Sequence, residues 1–196
     1  MKKQKKHIFR KVCLFSGIGL LVCAAAVLIF WQRGIRTSEQ QSAAYVHTLR
    51  TLMPEPQGAV LEERSNNAMP VLSVEGTDFI GILELPTHGS ALPICADWGH
   101  LSQYPSCFSG SIYDGTLQVG GTSQRGQYDF YREISEGESV FFTDMTGNRY
   151  TYTVKSIRYE NHANQTALNR EDATLVLFIK NIYAFEYVIV FCDTPS

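Results

Sequence analysis

Residues 12–31 carry no charge, residues 32–70 are polar with little sustained periodicity, and from residue 71 onward short apolar or alternating runs are broken by Gly, Pro, Asn and Asp. These three regimes of pattern predict three kinds of structure. At about 1.5 Å per residue, a helix over 12–31 is long enough to cross a hydrocarbon layer of roughly 30 Å. Within the polar stretch, Ser38 to Leu52 predicts a helix capped by Thr37 or Ser38 and stopped by Pro54 and Pro56. Residues 57–67 lack periodicity and read as a tether. Beyond Pro70 the pattern predicts strands at 71–74, 79–85, 115–119, 139–143, 149–159, 174–179 and 186–191, the grammar of an all-β barrel or sandwich. Thr146-Gly-Asn148 marks a hairpin turn between Val140-Phe-Phe142 and Tyr150-Thr-Tyr-Thr-Val154. Residues 126–134 predict a short helix with Phe130 and Ile134 on one face.

Charge gives the first segment an address. Met1-Lys-Lys-Gln-Lys-Lys-His-Ile-Phe-Arg-Lys11 abuts the uncharged run, while only Arg33 and Arg36 follow it closely. The basic end is expected to stay in the cytoplasm, leaving the rest of the chain outside. Cys23-Ala-Ala-Ala26 resembles a signal-peptidase site, but the apolar run continues through Val27-Leu-Ile-Phe-Trp31, which favours an uncut anchor. A lipid-bearing Cys23 ranks lower, because Val22 before it is bulky. The expected organisation is a cytoplasmic basic tail at 1–11, a single-pass transmembrane helix at 12–31, an extracytoplasmic stem at 32–70 and a β-barrel domain at 71–196.

Composition narrows the function classes. The chain has 196 residues, 44% apolar, which suffices for one ordinary core and leaves no room for two large domains. A net charge of -2 supplies no basic field for a phosphate backbone, so nucleic acid is excluded as the expected partner. The cysteines at 13, 23, 95, 107 and 192 show no metal-ligand spacing, and no Asp-x-Asp-x-Asp run argues for calcium, so no metal or cofactor is expected. A pair among Cys95, Cys107 and Cys192 could be oxidised outside the membrane; the alternative is that they are small buried hydrophobes.

Several ordered landmarks carry a family likeness. Asp78-Phe-Ile-Gly-Ile-Leu-Glu-Leu-Pro86, Leu92-Pro-Ile-Cys-Ala-Asp-Trp98, Pro105-Ser-Cys-Phe-Ser-Gly110 and Gly137-Glu-Ser-Val-Phe-Phe-Thr-Asp144 follow one another along the outer domain. In this order they resemble the sortases, the membrane-anchored cysteine transpeptidases of Gram-positive bacteria, in a branch related to the B and D classes. The resemblance implies a sortase-like closed β-barrel. It also implies where a catalytic histidine, cysteine and arginine would stand. The run Leu117-Gln-Val-Gly-Gly121 matches the histidine strand, with Gly121 in place of the imidazole. Ala173-Thr-Leu-Val-Leu-Phe178 matches the cysteine strand, with Phe178 in place of the thiol. Tyr187-Val-Ile-Val190 matches the arginine strand, with Tyr187 in place of the guanidinium.

These replacements bear directly on chemistry. Acyl transfer in this family needs a thiolate nucleophile, a proton donor for the leaving amine and a cationic hydrogen-bond donor. Phenylalanine and glycine can supply none of these, and tyrosine imitates only an uncharged hydrogen bond. A one- or two-residue shift of register reaches Ile179, Lys180, Thr122, Ser123 or Glu186, and restores no thiol, imidazole or guanidinium. The expectation is a catalytically silent member that binds a sorting-signal peptide, a cell-wall component or an active sortase. The alternative is an active transpeptidase or hydrolase with a relocated nucleophile, for which Cys107 with His100 is the candidate pair. His162 reads as a solvated loop residue and Lys180 as a strand-end lysine. Tyr183, Phe185 and Tyr187 are candidates for a peptide-binding wall beside the old cleft.

Overall fold

The computed structural model describes residues 2–55, 68–161 and 173–195, with side chains at 1–16, 18, 28 and 30–37 outside the description. The predicted tether at 57–67 and His162 lie outside the described residues. Two compact units are present, 1–37 and 38–196. The described residues of the first, from 2 to 37, are helical, and its described apolar side chains Leu20, Leu21, Val22, Val27 and Ile29 are exposed. Among the described residues no helix is long and apolar enough to cross a membrane.

One helix, α1, runs unbroken from Lys2 to Leu52. The predicted cap at Thr37 or Ser38 is therefore corrected, because a residue inside a continuous helix has no free N-terminal N–H groups to satisfy. Ser38 and Ser42 instead donate their hydroxyls to the carbonyls of Arg125 (3.3 Å) and Gly126 (2.9 Å). The end of α1 packs Val46 and Leu49 against Phe79, Ile82, Cys95, Tyr104 and Met145, a satellite core that ties residues 38–53 to the strands. This part of the expected stem is thus built into the barrel unit.

The strands are β1 (Leu72–Val74), β2 (Thr77–Leu85), β3 (Ser90–Cys95), β4 (Ser106–Ser109), β5 (Leu117–Thr122), β6 (Ser139–Asp144), β7 (Arg149–Glu160), β8 (Leu175–Lys180) and β9 (Tyr187–Asp193). Their order is β1-β2-β3-β4-β5-β8-β9-β7-β6, and β6 pairs back onto β2, which closes the last eight strands into a barrel. Closure removes the open sheet edges that an isolated sheet would expose. The predicted all-β barrel is observed. β3 and β4 were not among the expected strands. Pro93 weakens the strand pattern of β3, but β3 meets β4 only at Cys95, so an N–H missing at Pro93 costs nothing on that side.

The expected helix at 126–134 is replaced by turns, with N–H groups of Tyr131 and Glu133 bonding three residues back to Tyr128 and Phe130. Ile134 still reaches the core. The predicted β6–β7 turn holds through Asp144, a buried carboxylate that accepts from the N–H groups of Thr146 (2.9 Å) and Asn148 (3.0 Å). Tyr113 donates to its second oxygen at 2.9 Å. The main core fills the barrel with Leu117, Val119, Leu175, Leu177, Ile179, Val188, Val190 and Cys192, among others.

Candidate functional site

Three strands carry the positions singled out in the sequence. β5 runs parallel to β8, and β8 antiparallel to β9, in a register that makes three rows: Gly120–Phe178–Ile189, Gly121–Ile179–Val188 and Thr122–Lys180–Tyr187. Side chains alternate between faces along a strand, so the first and third rows share one face. Ile179 and Val188 belong to the barrel interior, whereas Phe178 and Ile189 pack in a separate outer cluster. Phe178 and Tyr187 thus stand on the outer face at one end of the ribbon, two rows apart. Gly121 stands in the row between theirs in the sheet but turned inward.

The two glycines are held for different reasons. A Cβ on Gly121 would lie 2.3 Å from the Tyr128 ring inside the barrel. A Cβ on Gly120 would lie 2.5 Å from both Phe178 and Trp98 on the outer face. Neither position accepts a side chain, let alone an imidazole, without movement of an aromatic ring.

Phe178 is the floor of an aromatic trio. Its ring centre lies 5.4 Å from Trp98 and 5.4 Å from Phe108, and the latter two are 5.1 Å apart. Tilted and edge-on contacts of this kind are favourable because a positive ring edge meets a negative face. Phe178 is only 5% exposed, while Trp98 and Phe108 are 36% and 40% exposed. Trp98 sits on a single 3-10 turn, Trp98–His100, whose N-cap Asp97 accepts from the Gly99 N–H at 2.9 Å. The segment after β5 pins that turn. Gln127 donates to the Leu101 carbonyl at 3.1 Å while its own carbonyl accepts the Thr122 N–H at 2.8 Å, and Gln124 donates to the Ser102 carbonyl at 2.8 Å.

The polar candidates are dispersed. His100 Nδ1 lies 3.3 Å from the Asp97 carboxylate, near enough for attraction when the ring is charged but out of hydrogen-bond alignment. Cys107 is half-buried, its Sγ 3.9 Å from the Ser109 carbonyl, and burial pushes its thiol up. Among the described contacts none joins Cys107 to His100. Cys95, Cys107 and Cys192 are all free, which corrects the disulfide alternative. Desolvation pushes the Cys95 and Cys192 thiols up as well, so each is a weaker source of thiolate than an exposed cysteine. Cys192 is a core residue, fully buried.

Beyond Lys180 the β8–β9 connection is braced by Asn181, whose side-chain carbonyl accepts from the Tyr183 N–H at 3.0 Å. Ser123 Oγ accepts from the Ile182 N–H at 3.1 Å. The loop projects Ile182, Tyr183 and Phe185, which are 45%, 75% and 97% exposed. Tyr183 and Phe185 therefore stand in solvent, and among the described ring contacts none joins either to Tyr187. Sequence inspection missed Trp98 and Phe108 as partners of Phe178; the pairing joins strands and a turn far apart in the chain.

No family model matches the sequence, and no curated protein matches it. Solved structures do. The chain is similar to a sortase D5 transpeptidase of Clostridium perfringens at 12% identity, covering 82% of this chain and 99% of that one with a TM-score of 0.56. It is similar to sortase C-3 of Streptococcus pneumoniae at 15% identity, covering 84% and 85%, with a TM-score of 0.53. It is also similar to Clostridium perfringens sortase C solved with its C-terminal cell wall sorting motif, at 14% identity, 61% and 71% coverage and a TM-score of 0.51. The barrel has the sortase fold. Identities this low establish the architecture and carry no residue's role across.

Proposed function

We propose that this chain is a membrane-anchored, non-catalytic sortase-like protein whose outer barrel face binds a peptide at the cell surface. The observation that carries the proposal is Phe178 at the position matched to the nucleophile, packed under Trp98 and Phe108 rather than left as a gap. A binding face needs shape, apolar area and a few polar groups, and no nucleophile. The trio offers partly exposed rings for an aliphatic or aromatic side chain, and the exposed Lys180 lies on the same face. The solved complex of a fold relative with a sorting motif makes such a peptide the first ligand to test; a cell-wall component or an active sortase is the next. Burial that pushes the Cys107 thiol up counts against a relocated nucleophile. Anchoring rests on the uncharged run 12–31 behind a basic tail and on the exposed Leu20, Leu21, Val22, Val27 and Ile29. That arrangement puts the N-terminus in the cytoplasm and the barrel outside.

The test uses the full chain in detergent micelles, with Trp31→Phe so that Trp98 is the remaining tryptophan, excited at a wavelength where tyrosine does not absorb. A sorting-motif peptide is expected to change Trp98 emission saturably and to be recovered intact. Cleavage of the peptide, or a thioester trapped on any cysteine, would overturn the non-catalytic reading.

A further inference from the structure

Ile182, Tyr183 and Phe185 project from the connection between β8 and β9, and neither the barrel core nor the aromatic trio uses them. Phe185 and Tyr183 are more exposed than any other large apolar side chain among the described residues, those of the uncharged segment included. Singly exposed apolar residues are ordinary on a protein surface, but three within four consecutive positions form a patch, and such patches mark contacts.

A loose loop does not explain the exposure. Asn181, at the base, is buried; its N–H donates to the Glu186 carbonyl at 3.0 Å and its Nδ2 to Glu186 Oε2 at 3.3 Å. Its Oδ1 accepts the Tyr183 N–H, and Ser123 Oγ accepts the Ile182 N–H. The loop 181–186 is thus closed at its base and braced from the side, which holds the three apolar side chains outward and leaves little ordering to be done on contact.

The bracing also fixes where the loop stands. Ser123 donates its N–H to the Lys180 carbonyl at 2.9 Å, and just beyond it the carbonyls of Arg125 and Gly126 accept from Ser38 and Ser42. The tip therefore lies at the end of the barrel unit where the chain enters it. Ser38 follows Trp31, the last residue of the uncharged run, by seven positions, and seven residues reach at most about 25 Å however they are folded. The other end of β9, at Asp193, is six residues from Tyr187, about 20 Å away.

We propose that this loop dips into a lipid surface. Ile182 and Phe185 reach the acyl boundary, and the Tyr183 ring, apolar in body and polar at its tip, sits at headgroup level. The occupant is a bilayer rather than a second protein, because a chain anchored through 12–31 keeps this end of the barrel within reach of one permanently. Charge does not drive the contact: Arg125 and Lys180 on the flanking segments are matched by Glu39 and Glu186, which leaves apolar area as the attraction. The inference rests on the anchoring part of the proposed function and needs nothing from the peptide-binding part.

The test uses the full chain with Trp31→Phe, in phosphatidylcholine nanodiscs that leave both lipid faces open, as the parent for Phe185→Trp and Thr194→Trp. Both positions are exposed, and Thr194 lies just past the far end of β9, so both variants should keep the parent's thermal unfolding. Emission in excess of the parent's isolates the added indole. For Phe185→Trp it is expected to lose most of its intensity to lipids brominated near the glycerol end of their acyl chains, less to lipids brominated near the methyl ends, and little to iodide. For Thr194→Trp, iodide should quench and neither lipid should. Adding phosphatidylglycerol should change neither result. In parallel, the parent in phosphatidylcholine vesicles is washed with alkaline carbonate and is expected to stay with the lipid. Equal iodide quenching in the two variants overturns the proposal and leaves anchoring intact. Shielding of the Phe185→Trp indole without quenching by either brominated lipid overturns it as well and assigns the tip to a protein contact, such as a second copy of the chain. Release of the parent by carbonate overturns the anchoring reading and this inference with it.

Discussion

The inner and outer faces of the β5–β8–β9 ribbon are built from the same three strands and differ by one residue of register. Inward go Val119, Leu177, Ile179, Val188 and Val190, all fully buried. Outward go Phe178 and Ile189, also buried; Phe178 lies under Trp98 and Phe108, which keep a third or more of their surface in water. Barrel closure dictates the inner face, because every side chain there must fill a shared, dry volume. The outer face answers to whatever covers it, which is where a fold can exchange reactive groups for packing without losing its core.

The largest effects should separate the faces by stability. Leu177→Ala is expected to cost about 2–5 kcal/mol in urea unfolding, the range for a large-to-small change in an enclosed core. Phe178→Cys should cost less, about 1–2 kcal/mol against the 3–5 of a fully enclosed phenylalanine truncated to alanine, since the surrounding rings can follow or admit water. It should also redden Trp98 emission and restore no peptide cleavage, because a thiol there still lacks an imidazole. Equal losses at Leu177 and Phe178 would erase the distinction between the faces, and cleavage by the Phe178→Cys variant would show that the sulfur alone was missing.

The glycines sharpen the same contrast at smaller scale. Gly121→Ala meets the fully buried Tyr128 ring and should destabilise by about 1–3 kcal/mol. Gly120→Ala meets the far ends of both the Trp98 and the Phe178 rings; the partly exposed Trp98 can swing outward while the buried Phe178 yields less, so a loss of about 1–2 kcal/mol is expected together with greater quenching of Trp98 by iodide. A larger loss at 120 than at 121 would mean that the trio, rather than the interior, holds this end of the ribbon.

The smallest effect lies at the ribbon's far end, away from both glycines, where Lys155 Nζ sits 2.6 Å from Asp193. The Lys155 hydrogen bond, helped by Thr174, holds the Asp193 carboxyl below its ordinary value. A depressed carboxyl stabilises the fold above its unfolded pKa, near 3.9, and that contribution is lost as pH falls through the lower, folded value. Lys155→Met should therefore cost about 0.2–1 kcal/mol at pH 7 and nothing once Asp193 is protonated in both states. Stability curves of parent and variant that stay parallel down to pH 2 would contradict this assignment.

Much of the barrel was legible because its strands state their period openly. Tyr150-Thr-Tyr-Thr-Val154 alternates, and Leu175 to Ile179 and Val188 to Phe191 are apolar throughout, as strands covered on both faces must be. β3 and β4 were hidden for local reasons: Pro93 interrupts one, and the other is four residues among Gly, Ser and Pro. The 126–134 segment had helical spacing at Phe130 and Ile134, yet its N–H groups reach three residues back, because the chain must keep Gln127 on Thr122 and Leu101. At the site, the likeness singled out positions 178 and 187, but no one-dimensional pattern puts them on one face or places Trp98 and Phe108 over Phe178.

The sequence by itself determined the strand run that closes into a barrel, the uncharged segment behind a basic tail, and the lack of a thiol, imidazole and guanidinium at the matched positions, since periodicity, charge and residue chemistry are properties of the chain in one dimension. Tertiary structure alone decided that Gly121 faces inward and Gly120 outward, and that Phe178 is covered by one ring from a distant turn and one from β4. Those outcomes depend on register and on contacts between residues far apart in the chain, and a shift of a single residue would have reversed the faces.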